Sequence, residues 1–224
     1  GDGSTAAGVG TGIAVTDAPG STIGPENTVS NSRGNGIAIS PTSVGSSITG
    51  NRVGTDVLGI AKASNEAGIV VLPASGSDPA KVDLTISGNT VGGNRSAGIV
   101  AVGGGIRVLA NRLGVGPTSL RDLGNDGPAL TIDSADGEVR GNLVGFNVSG
   151  ITAAGTGLVV ADNQVGQPAA DETDIGNDGD GINVTGSGKV TGNVVGHNGG
   201  DGIDLSSAAK VEVRANRIAS APTP

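Results

Sequence analysis

Aliphatic residues recur along the chain in two short patterns that alternate. In the first, an asparagine lies between aliphatic residues in the order aliphatic-x-x-Asn-x-aliphatic, as in Ile48–Val53 and Ile86–Val91. In the second, Gly-Ile is followed by one variable position and another aliphatic residue, as in Gly36–Ile39 and Gly181–Val184. Both segments are too short for a helix and alternate inward and outward positions, which is typical of β-strands. The two patterns predict that every coil runs strand, turn, strand, turn.

The asparagine of the first pattern occurs once in each predicted coil. It lies where the chain bends, a position that favours residues whose amide bonds a neighbour. Stacked amides can each donate to the next rung and accept from the previous one, as they do in cross-β stacks. We therefore predict a structural asparagine ladder formed by Asn27, Asn51, Asn89, Asn111, Asn142, Asn163, Asn193 and Asn216.

Stacked coils of this kind predict an all-β fold, a right-handed parallel β-helix of about eight coils. The hand follows because parallel strands joined by a crossover connection are right-handed in nearly all proteins. Composition agrees, since the chain has 43 Gly, one Phe and no Trp, Tyr or Met, so only small aliphatic side chains can fill a narrow core. We expect one domain over residues 1–224 without separate caps, and open coil ends that favour end-to-end association of copies.

Short and long coils alternate in the predicted solenoid. Successive ladder asparagines are 24, 38, 22, 31, 21, 30 and 23 residues apart. The extra residues always follow the first pattern and precede the second, so three loops should project from one edge of the rod. The repeating unit is then a pair of coils of about 52 residues.

One segment resembles a motif of known repeat proteins. Residues 50–56, Gly-Asn-Arg-Val-Gly-Thr-Asp, followed by Gly59, are similar to a motif of large bacterial extracellular repeat proteins with a pectate-lyase-type parallel β-helix fold. The resemblance implies a secreted or cell-surface protein of the adhesin type, built from β-helix repeats. It implies no particular activity.

The projecting loops are rich in acidic residues, amides and glycine. Oxygen ligands in such a segment suit Ca²⁺, although Asp-Gly and Asn-Gly are also the usual residues of tight turns. Asp171, Glu172 and Asp180 add further oxygens near the last loop. The candidate calcium ligands are Asp122, Asn125, Asp126, Asp174, Asn177 and Asp178.

Nothing in the outward positions predicts catalysis. The outward column of the Gly-Ile strands is small and mostly uncharged, whereas β-helix lyases and hydrolases need converging carboxylates. The only histidine, His197, is predicted to be a solvated turn residue in the column of Gly93 and Phe146. Charges near Arg107–Arg140 and Lys189–Arg214 are predicted to pair between adjacent coils. No catalytic residue and no cofactor other than calcium is assigned.

Charge and hydropathy narrow the partner classes. The net charge is −8, with basic residues scattered singly, so a nucleic acid partner is not expected. No apolar run is long enough for membrane insertion. The leading hypothesis is a non-enzymatic structural or adhesive module of a secreted or cell-surface protein, whose partner is a protein, a cell surface or further copies of itself. The alternatives are a polysaccharide-processing β-helix enzyme or carbohydrate binder, and binding to ice or another ordered surface.

Overall fold

The computed structural model describes residues 9–71, 81–118, 120–168, 170 and 173–219. In these ranges the chain forms 24 short β-strands and no helix, and every pair of neighbouring strands is parallel. No helix in the described ranges has the length and apolar character to cross a membrane. Each coil adds one strand to each of three eight-stranded sheets, which confirms the predicted parallel β-helix of eight coils.

The three sheets run along the rod, and their strands follow each other in coil order. Sheet 1 contains β1 (Ile13–Val15), β4 (Ile37–Ile39), β7 (Ile69–Val71), β10 (Ile99–Val102), β13 (Pro128–Asp133), β16 (Ser149–Ala154), β19 (Ile182–Val184) and β22 (Ile203–Asp204). Sheet 2 contains β2 (Thr22–Ile23), β5 (Ser47–Thr49), β8 (Thr85–Ser87), β11 (Arg107–Leu109), β14 (Glu138–Arg140), β17 (Leu158–Ala161), β20 (Gly188–Thr191) and β23 (Val211–Arg214). Sheet 3 contains β3 (Thr28–Val29), β6 (Arg52–Val53), β9 (Thr90–Val91), β12 (Arg112–Leu113), β15 (Leu143–Val144), β18 (Gln164–Val165), β21 (Val194–Gly196) and β24 (Arg217–Ala219).

The prediction of two strands per coil is wrong, because the asparagine pattern contains two strands. In the second coil, β5 ends at Thr49 and β6 begins at Arg52, and Gly50 between them has a φ of 63°. This left-handed residue bends the chain just before the ladder asparagine. The buried residues Ile48 and Val53 are five positions apart, so the alternation shifts by one residue at the bend. With strands of only three and two residues on either side, this shift resembles an irregularity within one strand.

The core is a narrow column of aliphatic side chains from all three sheets. On sheet 1, Ile69 pairs with Ile99 and Ile99 with Leu130, and all three side chains are fully buried. The inward residues of the other sheets continue the same column, and they include Ile86, Val108 and Val139 of sheet 2, and Val91, Leu113 and Val144 of sheet 3. Phe146 lies outside this cluster. The core therefore needs no large side chain, as the composition predicted.

The predicted asparagine ladder is confirmed. Each side-chain amide donates to the carbonyl oxygen of the next asparagine at distances between 2.8 and 3.1 Å, from Asn27 to Asn216. The same Nδ2 also donates to a strand carbonyl, as from Asn111 to Ile86 at 2.9 Å. The six inner asparagines are at most 1% exposed. Their amides are thus fully hydrogen-bonded inside the rod, which is what burial of a polar group requires.

Candidate functional site

Three loops of equal length leave sheet 3 on alternate coils and return to sheet 1. We name them loop 1 (54–64), loop 2 (114–124) and loop 3 (166–176); Ser119 of loop 2 and Ala169, Asp171 and Glu172 of loop 3 lie outside the described residues. Loops 1 and 2 close on themselves through antiparallel bridges, between Thr55 and Lys62 and between Val115 and Asp122. Because they are two coils apart, their bases are separated by about 10 Å along the rod.

Loops 1 and 2 contact each other across the short coil between them. Arg121 Nη1 of loop 2 donates to the carbonyl oxygen of Ile60 in loop 1 at 2.8 Å. Lys62 Nζ of loop 1 lies 3.8 Å from Asp122 Oδ1 of loop 2. On the sheet beneath, Arg112 Nε donates to the carbonyl of Gly116 at 2.6 Å. These contacts make one continuous surface from two loops that are distant in sequence.

The tip of loop 1 exposes aliphatic side chains. Val57 is 68% exposed, Leu58 is 62% exposed and Ile60 is 37% exposed. The turn that carries them is held by Asp56, whose Oδ1 accepts the backbone N–H of Ile60 at 2.8 Å. This hydrogen bond keeps the pKa of the Asp56 carboxyl below its ordinary value. The tip is therefore an ordered apolar protrusion of a kind associated with contact surfaces.

A second asparagine ladder, not predicted from the sequence, runs along the corner where the loops return to sheet 1. Its amides donate rung to rung at distances of 2.8 to 3.1 Å. Ser32 extends it at the first coil by donating its backbone N–H to Asn65 Oδ1 at 3.0 Å. The rungs are Asn65, Asn94, Asn125, Asn147, Asn177 and Asn198.

The sequence does contain a signal for this second ladder. Each of its asparagines stands three or four residues before the glycine, or the equivalent alanine, that opens the sheet 1 pattern. The amide also packs against the glycine of the preceding coil: a Cβ at Gly98 would lie 2.9 Å from Asn125 Nδ2, and one at Gly36 would lie 2.8 Å from Asn65 Nδ2. At Gly98 the carbonyl oxygen of the next rung is closer still, and at Gly36 a core methyl is, so backbone, core and amide together favour glycine here.

The structure does not bring the six candidate calcium ligands together in one cluster. Asn125 and Asn177 are each 2% exposed, and their amides are rungs of the second ladder. Asp122 Oδ1 and Asp174 Oδ1 each accept a backbone N–H of their own loop, from Gly124 and Gly176, at 2.8 Å. Asp126 and Asp178 follow ladder asparagines. The described residues contain no group of three His, Cys, Asp or Glu that could hold a metal, and calcium binding by these loops stays a prediction.

A melting experiment tests the calcium hypothesis. Since two of the six candidate ligands are committed to the second ladder, we expect the melting temperature to be the same in excess calcium and in excess chelator. A ligand that binds only the folded state must raise stability. A midpoint that rises with calcium concentration, and that falls back in Asp174→Asn but not in Asp17→Asn, would instead establish a calcium site in loop 3.

The outward face of sheet 1 changes character along the rod. The strand register aligns the predicted outward column, which consists of Ala14, Ala38, Val70, Val100, Thr131, Thr152, Asn183 and Asp204. Asn183 Nδ2 donates to Asp204 Oδ2 at 2.6 Å. The N–H of Ser206 lowers the pKa of Asp204, so this carboxyl is ionised at neutral pH and unsuited to act as a general acid. The column is thus small and apolar at one end and polar at the other.

The carboxylates of sheet 1 do not converge. Asp133 lies on the fifth rung and Asp204 on the eighth, which places them about 14 Å apart along the rod. Paired carboxylates of glycoside hydrolases are separated by about 5 to 9.5 Å. Neither residue therefore has the second carboxylate that this chemistry needs on sheet 1.

Charged side chains of sheet 2 pair between adjacent coils, as predicted, and also within strands. Arg140 Nε lies 2.6 Å from Glu138 Oε1 on the same strand, and Arg140 also pairs with Asp162 of the following turn. Arg214 pairs with Glu212 in the same way. The cause is the two-residue spacing, which puts both side chains on the same face of one strand. Glu138 and Asp162 raise the pKa of Arg140.

His197 does occupy the turn column of Gly93 and Phe146, and all three residues have positive φ angles. Its side chain, however, is only 8% exposed, so the prediction of a solvated residue is wrong. Nδ1 lies 3.9 Å from Asp174 Oδ2 of loop 3. The loop of the preceding coil covers the imidazole, a contact that sequence spacing does not reveal.

Comparison with known proteins identifies the fold. No family model and no curated protein matches the chain. Among solved structures, the crystal structure of the Dettilon tailspike protein is similar over 96% of this chain, with a TM-score of 0.52 and 12% sequence identity. The enzymatically active domain of tailspike protein 2 of bacteriophage CBA120 gives a TM-score of 0.46 and 15% identity over 93% of this chain. The likeness is one of fold: a parallel β-helix.

This chain spans 39% of the length of each of these two tailspike chains. The similarity to the Dettilon tailspike protein therefore concerns only part of that chain. At this sequence identity it carries no residue of a tailspike site onto a residue of this chain.

Proposed function

We propose that this chain is a non-enzymatic structural or adhesive β-helix module of a secreted or cell-surface protein, and that its column of loops is the contact surface. The observation that carries the proposal is the contact between loops 1 and 2 through Arg121, Lys62 and Asp122 beside the exposed tip of loop 1. A rigid rod that holds loops at fixed intervals suits repeated contact with an extended surface. The partner is a protein or cell-surface component, or further copies of the chain.

The tip of loop 1 supplies the apolar part of such a contact. Val57 and Leu58 are both more than 60% exposed, and their burial against a partner would remove apolar surface from water. Interfaces commonly combine an apolar centre with a polar rim. Lys62 and Asp122, both partly exposed, provide that rim here.

An adhesion assay tests the proposal. Beads coated with the chain are allowed to settle on intact bacterial cells of several species, and the retained fraction is measured under flow. The double variant Val57→Ser/Leu58→Ser should reduce retention about tenfold, because two exposed aliphatic anchors are lost. Val44→Ser is the matched control, since Val44 is 38% exposed but lies outside the loop column. Equal retention of wild type and double variant would contradict the proposed surface.

A carbohydrate-binding or polysaccharide-processing role is the second candidate. The polar end of sheet 1 favours it, since Thr152, Asn183 and Asp204 offer hydrogen-bonding groups on one face. The chain shares the parallel β-helix fold of the Dettilon tailspike protein. If the chain releases soluble sugars from an uronate-rich polymer, and Asp133→Asn or Asp204→Asn abolishes the release, the second candidate replaces the first.

A further inference from the structure

A cavity of about 350 Å³ lies between loop 3, the turn of the seventh coil and the last coil. Its polar lining comes from Asp174, His197, Asn198 and Asp201, and its apolar lining includes Val195 and Ile218. The volume is at the lower end of the range found for small-molecule sites. This cavity is separate from the tip of loop 1 and from the outward face of sheet 1.

The polar groups of the cavity are arranged by depth. The His197 side chain is 8% exposed, and within the described residues no hydrogen bond reaches its imidazole. Asp174 is 71% exposed, and its Oδ1 is engaged by the N–H of Gly176, which leaves Oδ2 facing the imidazole at 3.9 Å. Asp201 is an exposed residue that also lines the cavity. The cavity therefore has an imidazole in its wall and two carboxylates near its mouth.

Its electrostatics favour a cation. Two carboxylates line the cavity, and none of its lining residues is Lys or Arg. The His197 side chain, only 8% exposed, lines the cavity and can accept a hydrogen bond from a cationic donor. Because the described residues contain no three-residue cluster suited to a metal, an organic cation fits this lining better than a metal ion.

We propose that this cavity binds an ammonium or guanidinium group on a short aliphatic stem. The charged group pairs with Asp174 and Asp201 at the mouth, where charge-assisted hydrogen bonds to carboxylates form. The stem lies against Ile218, which is 56% exposed, and the imidazole of His197 accepts a hydrogen bond from the ligand.

The site is particular to the seventh coil. The equivalent turn position is held by Gly93, which has no side chain, by Phe146, which has no polar atom, and by Asn31 in the first coil, which is exposed. Only His197 places a largely buried polar side chain in this column. Because His197 occurs only in the seventh coil, the proposal concerns one site per chain and not one site per loop.

Nuclear magnetic resonance observes this site directly, because the chain has one His and one Phe and no Tyr or Trp. The probes are n-butylammonium and its uncharged analogue 1-butanol, each titrated at constant ionic strength. The imidazole resonances of His197 should shift saturably with n-butylammonium and not with 1-butanol. Equal shifts with both probes, or shifts that never saturate, would overturn the proposal.

Variants locate the charge recognition. Asp174→Asn and Asp201→Asn should each weaken n-butylammonium binding about fivefold, the factor expected for one charge pair near 4 Å in water. Asp178→Asn makes the same change in net charge outside the cavity lining and should leave binding unaltered. If all three variants weaken binding equally, a general electrostatic effect replaces the site. Unchanged melting temperatures establish that each variant is folded.

The ligand could be a free amine or a basic side chain of a partner, and two further probes separate these sources. Spermidine represents the free amine, and a blocked Gly-Lys-Gly peptide represents the side chain. Stronger binding of the peptide assigns the cavity to a partner protein, and stronger binding of spermidine assigns it to a small molecule. If spermidine, the Gly-Lys-Gly peptide and n-butylammonium all fail to bind saturably, the site is rejected.

Discussion

Replacing Asn142 with alanine should lower the free energy of unfolding by about 4 kcal/mol. Asn142 is fully buried, and its Oδ1 accepts both the backbone and side-chain N–H of Asn111. Its Nδ2 donates to Val108 O and to Asn163 Oδ1, both at 2.9 Å. Alanine removes these partners, and each buried group left unsatisfied costs about 1 to 3 kcal/mol. Urea denaturation followed by far-ultraviolet circular dichroism measures the change.

Two controls isolate the hydrogen bonds of the ladder. Asn142→Asp keeps the volume but loses the donor, and we expect it to be at least as destabilising as alanine because a buried carboxylate then faces Val108 O and Asn163 Oδ1. Asn183→Ala removes one amide from the outward face of sheet 1 and should change stability by no more than about 1 kcal/mol. Equal effects of Asn142→Ala and Asn183→Ala would show that the ladder contributes nothing particular.

Replacing Gly150 with alanine should destabilise the fold by about 3 kcal/mol. The added Cβ would lie 2.1 Å from the backbone carbonyl oxygen of Gly181 on the next rung and 2.9 Å from Val165 Cγ1. Neither a rung carbonyl nor a packed core methyl can move away without disturbing its own contacts, and overpacking of this kind commonly costs 1 to 3 kcal/mol. The fall in the urea midpoint measures it.

Gly10→Ala is the control for this substitution, since an added Cβ at Gly10 meets no atom within 4 Å. Its unfolding free energy should stay within about 0.5 kcal/mol of the wild type. If Gly150→Ala were equally mild, the carbonyl oxygen of Gly181 would have to lie further from position 150 than the 2.1 Å contact indicates.

The rung count and the first ladder could be predicted from sequence because a solenoid repeats its chemistry. Equivalent positions of successive coils must stack, so Asn89, Asn111 and Asn142 share one environment and one residue type. The three-sheet cross-section could not be predicted in the same way. Gly50 shifts the alternation between Ile48 and Val53 by one residue, and because the strands on either side have only three and two residues, this shift resembles an irregularity within one strand.

The candidate sites were harder to predict than the fold. Asn125 and Asn177 occur in acidic Gly-rich segments, so composition placed them among calcium ligands, whereas their amides are buried rungs. The regular spacing of the second-ladder asparagines before the sheet 1 pattern is present in the sequence, but only the structure shows that their amides are buried. The exposed tip at Val57 and Leu58 carries no periodic signal, because loop residues differ from coil to coil.

The sequence by itself determined the narrow aliphatic core, the eight rungs and the ladder of buried amides, since each follows from residue types repeated at equivalent positions. Only the tertiary structure decided that Arg121 holds loop 1, that the second ladder takes Asn125 and Asn177, and that loop 3 covers His197. The physical reason is distance along the chain. The contacts of Arg121 and His197 join side chains from different coils and occur once, so they leave no period in the sequence from which to infer them. The second ladder does repeat, but its asparagines lie in turn segments, where asparagine is also a usual turn residue.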